Sequence, residues 1–234
     1  MSIVDFALDP ERLAVIAECM EHYGVGEPTA QRPNNIISRD AVVYASGAIA
    51  RRGEVVRHEV DPDELELVRD LARRAAEKLA SIEVGMGSEG GPDPWHPFYV
   101  AANTRAERVT EIDEALIRAR FGGTIFPPAT VRVEPIGVTG QFWSEFSDYW
   151  RESEPSVRDP ILATMREAMR WFEAEPAFTH RAFVMIGEAE QLWSVPQSAY
   201  PPGTEVTGCV LPRMILGLTE AGSLAGVFGH TVQT

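Results

Sequence analysis

The hydrophobic period of this chain switches near Pro176, from mostly helical to strand, and that switch constrains the fold more than any other feature. Before it, Ile161, Met165, Ala168, Met169 and Phe172 recur at helical spacing. After it, residues 181–187 (RAFVMIG), 206–211, 213–218, 224–228 and 231–233 read as short strands. Helical patterns fill the first three quarters and strands the end. An α+β fold with a mostly antiparallel sheet follows, in preference to a regular βαβ repeat. The last strands sit in GLTEAGSLAGVFGHTVQT, where small turn residues feed an ordered finish on Thr234.

Helix starts are legible from their caps. Asp9-Pro10-Glu11 combines an N-cap, a proline at the first helical position and an early acid. Leu13, Ile16, Ala17 and Met20 continue that helix, and Gly24 and Gly26 stop it. Asp61-Pro62-Asp63-Glu64 repeats the signal, with Leu65, Val68, Leu71, Ala72, Ala75 and Leu79 on one face. Thr110 and Asp113 form a capping-box pattern before a helix that Gly122-Gly123 ends. Residues 141–150 and 156–173 read as two more helices, and residues 98–102 and 130–134 as strands. Residues 41–45 and 54–60 read as a strand pair around the turn Arg51-Arg52-Gly53. Pro212 implies an edge or a bulge between two separate strands. Residues 191–204 read as an excursion from the sheet.

The 234 residues are 44% hydrophobic and 24% charged, enough for a sizeable core. No apolar run is long enough to span a bilayer. The start, MSIVDFALDPERL, lacks a basic region and carries Asp5, so a signal peptide is not expected and a cytoplasmic location is. Cys19 and Cys209 lie far apart and read as buried thiols rather than a disulfide. A net charge of −14 argues against direct phosphate-backbone binding and favours a basic partner.

Catalytic motifs find little support. Gly85-Met86-Gly87-Ser88-Glu89-Gly90 spells G-x-G-x-x-G, but a helix precedes it and Gly91-Pro92-Asp93-Pro94 follows. A dinucleotide site needs a strand before and a helix after, so this reads as a surface loop. The five histidines show no paired metal spacing. Ser223 in G-S-L-A-G is not a nucleophile elbow. No enzyme, cofactor or resident metal is expected. Of the aromatic set Phe142, Trp143, Phe146, Tyr149 and Trp150, the first three share a helical face suited to a core. Trp150, beside Asp148, Arg151 and Glu152, reads as an exposed interface anchor.

Residues 215–234 carry a spaced set of small residues: Leu216-Gly217, Thr219, Ala221-Gly222, Leu224-Ala225-Gly226, Val227, Val232 and Thr234. In this the chain resembles the nuclease A inhibitor family, cytosolic inhibitors of non-specific metal-dependent nucleases. A fainter correspondence reaches back through the helix of residues 67–80, Met86, Ser88-Glu89, Pro97-Phe98 and Trp150. The resemblance implies an α/β/α sandwich over residues 63–234, with a C-terminal hairpin in the sheet. It implies that the last residue enters a nuclease active site and approaches its Mg²⁺, through water. Thr234, Gln233, Glu89, Trp150 and Asp148 would then contact the partner, a basic nuclease. Residues 1–62 have no counterpart in the family, and about 189–212 form an insertion. Residues 1–62 read as a layer added to the main domain, because so few strands are unstable alone.

Two alternatives stand beside this reading. The same fold can serve as a non-catalytic adaptor in a larger assembly, such as a defence complex, docking through residues 1–62. The terminal segment can also be simply an edge strand that closes the sheet.

Overall fold

The computed structural model describes residues 2–20, 36–54, 57–85, 93–106, 108–188, 196 and 209–233. In chain order the first elements are β1 (Ile3–Asp5), α1 (Pro10–Ile16), β2 (Ala41–Val43), β3 (Ile49–Arg51), β4 (His58–Val60) and α2 (Pro62–Leu79). There follow β5 (His96–Val100), α3 (Glu114–Arg120), β6 (Val131–Pro135), α4 (Gln141–Tyr149) and α5 (Pro155–Ala174). The chain then turns to strands: β7 (Phe178–Ile186), β8 (Cys209–Thr219) and β9 (Leu224–Gln233). The five-stranded sheet runs β5-β9-β8-β7-β6 and every pairing is antiparallel. The α+β class expected from the change of period is the class observed. No helix among the described residues is long and apolar enough to cross a membrane.

Period-2 alternation divides the sheet's side chains between two cores. On β9, Leu224, Phe228 and Val232 join one cluster, and Ala225 and Val227 the other. The first cluster draws in Ile16 of α1, Val43, Ile49, and Leu116 and Ile117 of α3. The second is roofed by α2, α4 and α5. All six apolar positions expected on α2 are buried. Its cap is local chemistry: the Asp61 side chain accepts from the Asp63 and Glu64 N–H groups. Phe142, Trp143 and Phe146 of α4 are buried as expected, with Phe142 stacked on Phe183 at 4.1 Å.

Four expectations are corrected. The strand at 41–43 pairs with β3 rather than with residues 54–60, because the chain reverses at once through Ser46-Gly47, where the Tyr44 and Gly47 N–H groups close the turn. The segment near 58–60 pairs with β1, a strand the sequence pattern did not single out. The α3 cap is Asp113, which accepts from Leu116 N–H at 2.7 Å, not Thr110. Residues 209–219 form one continuous strand across Pro212. The pairing with β7 stops at Arg213, so at Pro212 the strand is laddered on the β9 side alone, where a missing donor is tolerated.

His58 ties the first 60 residues to the sheet. Its ring is buried and Nε2 donates to Ala101 O at 2.9 Å. Burial holds its imidazole below the ordinary histidine value; Arg120 adds to this, against the Ala101 carbonyl and Asp5. The folded state therefore binds this proton more weakly than the unfolded chain. Stability from His58 is complete above the unfolded value of about 6.5 and is lost as pH falls below it, by at most about 1.4 kcal/mol per pH unit. Urea melts between pH 7.5 and 5 are expected to show this loss, reduced in His58→Gln.

Candidate functional site

β9 outruns its neighbour. Its last pairing with β5 is Phe228 with His96, yet it continues to Gln233 against β8. It is thus an interior strand as far as Phe228, and beyond that no strand among the described residues pairs its far side, so the terminal segment is not simply the closing edge of the sheet. Long-range pairing with β5, about 130 residues earlier in the sequence, is what places it inside.

Beyond Phe228, the side chain of Asp93 meets the backbone of β9. Asp93 Oδ2 accepts from the His230 N–H at 2.7 Å and lies 3.0 Å from His230 Nδ1. His96 Nε2 approaches the same carboxylate at 3.6 Å. Burial alone would push the Asp93 carboxyl up. Hydrogen bonds from His230 and His96, and the charge of His230, outweigh it and hold the group below the usual carboxylate range.

Asp93 also closes the loop that carries Glu89. The Val84 N–H donates to Asp93 O at 2.9 Å, and Glu83 bridges Pro94. Both ends of the loop are therefore clamped together, while Glu89 itself, at 86–92, lies outside the described residues. The clamp packs directly on the strand: a β-carbon at Gly229 would sit 2.2 Å from Val84 Cγ2, so only glycine fits there. On its other side the clamp meets α4. A β-carbon at Gly85, where φ is +63°, would lie 2.9 Å from Tyr149 Cδ1 and 3.3 Å from Trp150 Nε1.

The structure thus brings three stretches separated in sequence together: the base of the Glu89 loop, the end of α4, and Gly229-His230 of β9, a few residues before its end. Asp148 is half exposed and ion-paired with Arg151. Gln233 is half-buried at the end of β9, and Thr234 lies outside the described residues. Trp150 differs from expectation. It is partly buried against the second core, its Nε1 is shielded without a hydrogen-bond partner, and its ring meets Tyr149 edge-on at 4.9 Å. The exposed aromatic here is Tyr149, at 44%. The helical wheel could not separate these neighbours, because both rings meet a distant stretch of chain at Gly85. Asp93, Gly85 and Gly229 also escaped sequence reasoning. The G-x-G spelling drew attention to this loop but said nothing of its contact with β9.

At the other end of the sheet lies a cleft of about 730 Å³, lined in part by Glu64, Arg108, Thr179, Thr219 and Glu220. Its polar groups serve the β8–β9 turn. Thr219 Oγ1 donates to Glu64 Oε1 at 2.6 Å and accepts from the Ser223 N–H, and Arg108 pairs with Glu220 at 2.8 Å. Among the described residues, no three His, Cys, Asp or Glu side chains group as a metal site. Cys19 is a free, buried thiol whose pKa is raised by that burial. No family model matches this chain, and no curated protein is significantly similar to it.

Proposed function

We propose that this protein is a non-catalytic inhibitor that occupies the active site of a basic, metal-dependent nuclease with the end of β9, as its resemblance to the nuclease A inhibitor family implies. The observation that supports this reading is the meeting of the Glu89 loop base with Tyr149 and Trp150 at the end of α4 and with Gly229-His230 of β9, a few residues before the strand ends. β9 is laddered to β8 as far as Gln233, so the next residue would be delivered at little ordering cost. With a free carboxylate, Thr234 offers a hydroxyl and an anionic group on one residue. Both are hard oxygen ligands of the kind Mg²⁺ accepts while keeping its waters. The charge of −14 would speed encounter with a basic cleft. Inhibition would be competitive with nucleic acid.

The test is titration of a non-specific Mg²⁺-dependent nuclease with the purified protein. Deletion of Thr234 is expected to weaken inhibition at least about 100-fold, equivalent to about 2.7 kcal/mol. The melting temperature should move by less than about 2 °C, because one end residue contributes little. Equal inhibition by the two proteins, or none by either, would reject the reading.

A further inference from the structure

We propose that the open edge of β1 is a second docking site, which takes an extended acidic and apolar segment of a different protein as an added strand. Eight large hydrophobic side chains are exposed among the described residues, and four of them, Ile3, Val4, Phe6 and Leu8, fall within six consecutive positions. Their exposures are 48%, 39%, 65% and 59%. Two of them lie on β1 and two just beyond it, and such a concentration is a mark of an interaction surface. β1 is laddered to β4 on one side, and among the described residues no strand pairs its other side over Ile3–Asp5; just beyond it, Ala7 O accepts from the Ala45 N–H and the Asp9 N–H donates to Val43 O, so the open edge is confined to β1 itself. An unpaired strand edge is a template for another strand.

Charge selects the occupant. Val4 pairs with Glu59, so both side chains stand on the same face. The Glu59 carboxylate binds two guanidiniums, Arg57 at 3.0 Å and Arg105 at 2.8 Å. Both arginine side chains remain mostly exposed, at 62% and 57%. Two cations on one anion leave a local excess of positive charge in a protein of net charge −14. The only charge on β1, Asp5, is buried and accepts from the Ser46 and Ala7 N–H groups, so it does not repel an acidic segment. A second copy is disfavoured, because it would set one Arg57–Arg105 pair against another and bring two chains of charge −14 together. An added strand with an acid opposite the arginines and apolar residues against Ile3, Phe6 and Leu8 satisfies both features.

This site lies away from the end of β9. β4 leads into α2, whose Glu64 binds Thr219 at the β8–β9 turn, the opposite end of a ten-residue strand about 30 Å long. The protein can therefore hold two partners at once, and the two assignments stand or fall separately.

The test uses a fluorescein-labelled octapeptide of alternating valine and glutamate, and a control with lysine for glutamate, read by fluorescence anisotropy. The acidic peptide is expected to bind at least tenfold more tightly than the control. That preference should vanish in Arg57→Gln/Arg105→Gln. Phe6→Ser/Leu8→Ser should raise Kd at least tenfold with the melting temperature unchanged, since both side chains are already mostly in water. Amide exchange at Ile3–Asp5 should slow when the acidic peptide is added. Absence of saturable binding, or binding indifferent to these substitutions, overturns the proposal. So does a concentration-dependent dimer in sedimentation that Phe6→Ser/Leu8→Ser abolishes, which would assign the edge to a second copy.

Discussion

Phe228→Ala is expected to cost about 3–5 kcal/mol of folding stability. Phe228 is fully buried at the middle of β9, paired with His96 on one side and Met214 on the other. Its ring lies 5.7 Å from Phe98, which in turn stacks at 5.9 Å on Phe121 at the end of α3. Truncation removes the β9 end of this ring series and leaves Phe98 without one of its two stacking partners. The strands around the void are laddered on both sides and cannot move in to fill it, so the cost belongs in the upper part of the range for such changes. Urea denaturation should show a lower midpoint at an unchanged slope. A loss below about 1 kcal/mol would mean that α3 collapses onto the sheet.

Asp93→Ala is expected to cost about 2–3 kcal/mol and to loosen the candidate site itself. The substitution leaves the part-buried His230 N–H without its side-chain acceptor, a penalty of at most about 1–3 kcal/mol. It also removes a charge-assisted bond, the stronger kind. Because the folded Asp93 carboxyl sits below the usual carboxylate range, its contribution is complete above the unfolded value near 3.9 and fades as pH falls through the lower folded value. The difference between wild type and Asp93→Ala should therefore hold from pH 7 to about 5 and shrink in stronger acid. Hydrogen exchange at His230 should accelerate in the variant. If the proposed function is right, nuclease inhibition should weaken as well, since the Glu89 loop and β9 lose their common clamp.

Much of the fold was readable without coordinates wherever its cause is local. The α2 helix shows why: its cap, its early acids and its six buried apolar positions all lie within 19 residues. The same holds for α4 and α5, and for the approximate positions of β5, β6 and β7. Errors arose where a choice depended on distant chain. A pattern such as AVVYA identifies a strand but not its partner, so residues 41–43 were matched to the wrong neighbour while β1 went unnoticed. Thr110 and Asp113 are both good caps, and the choice between them falls to the packing of Ile112 in the core.

The candidate site divides the same way. Spacing singles out the α4 aromatics, and the family resemblance implies the end of the chain and Glu89 as contacts. Only the fold joins them, through a carboxylate at Asp93 and two glycines that permit backbone to meet side chain. The chain's own chemistry determined that there would be helices with these faces, strands with this alternation and a strongly acidic protein. Tertiary structure decided that β9 runs inside the sheet and that Tyr149 rather than Trp150 faces water. It also decided that an apolar strand edge stands beside two arginines. The reason is physical: periodicity and capping are set by neighbours a few residues away, whereas pairing, burial and the meeting of charges are set by whichever distant segments compete best for the same space.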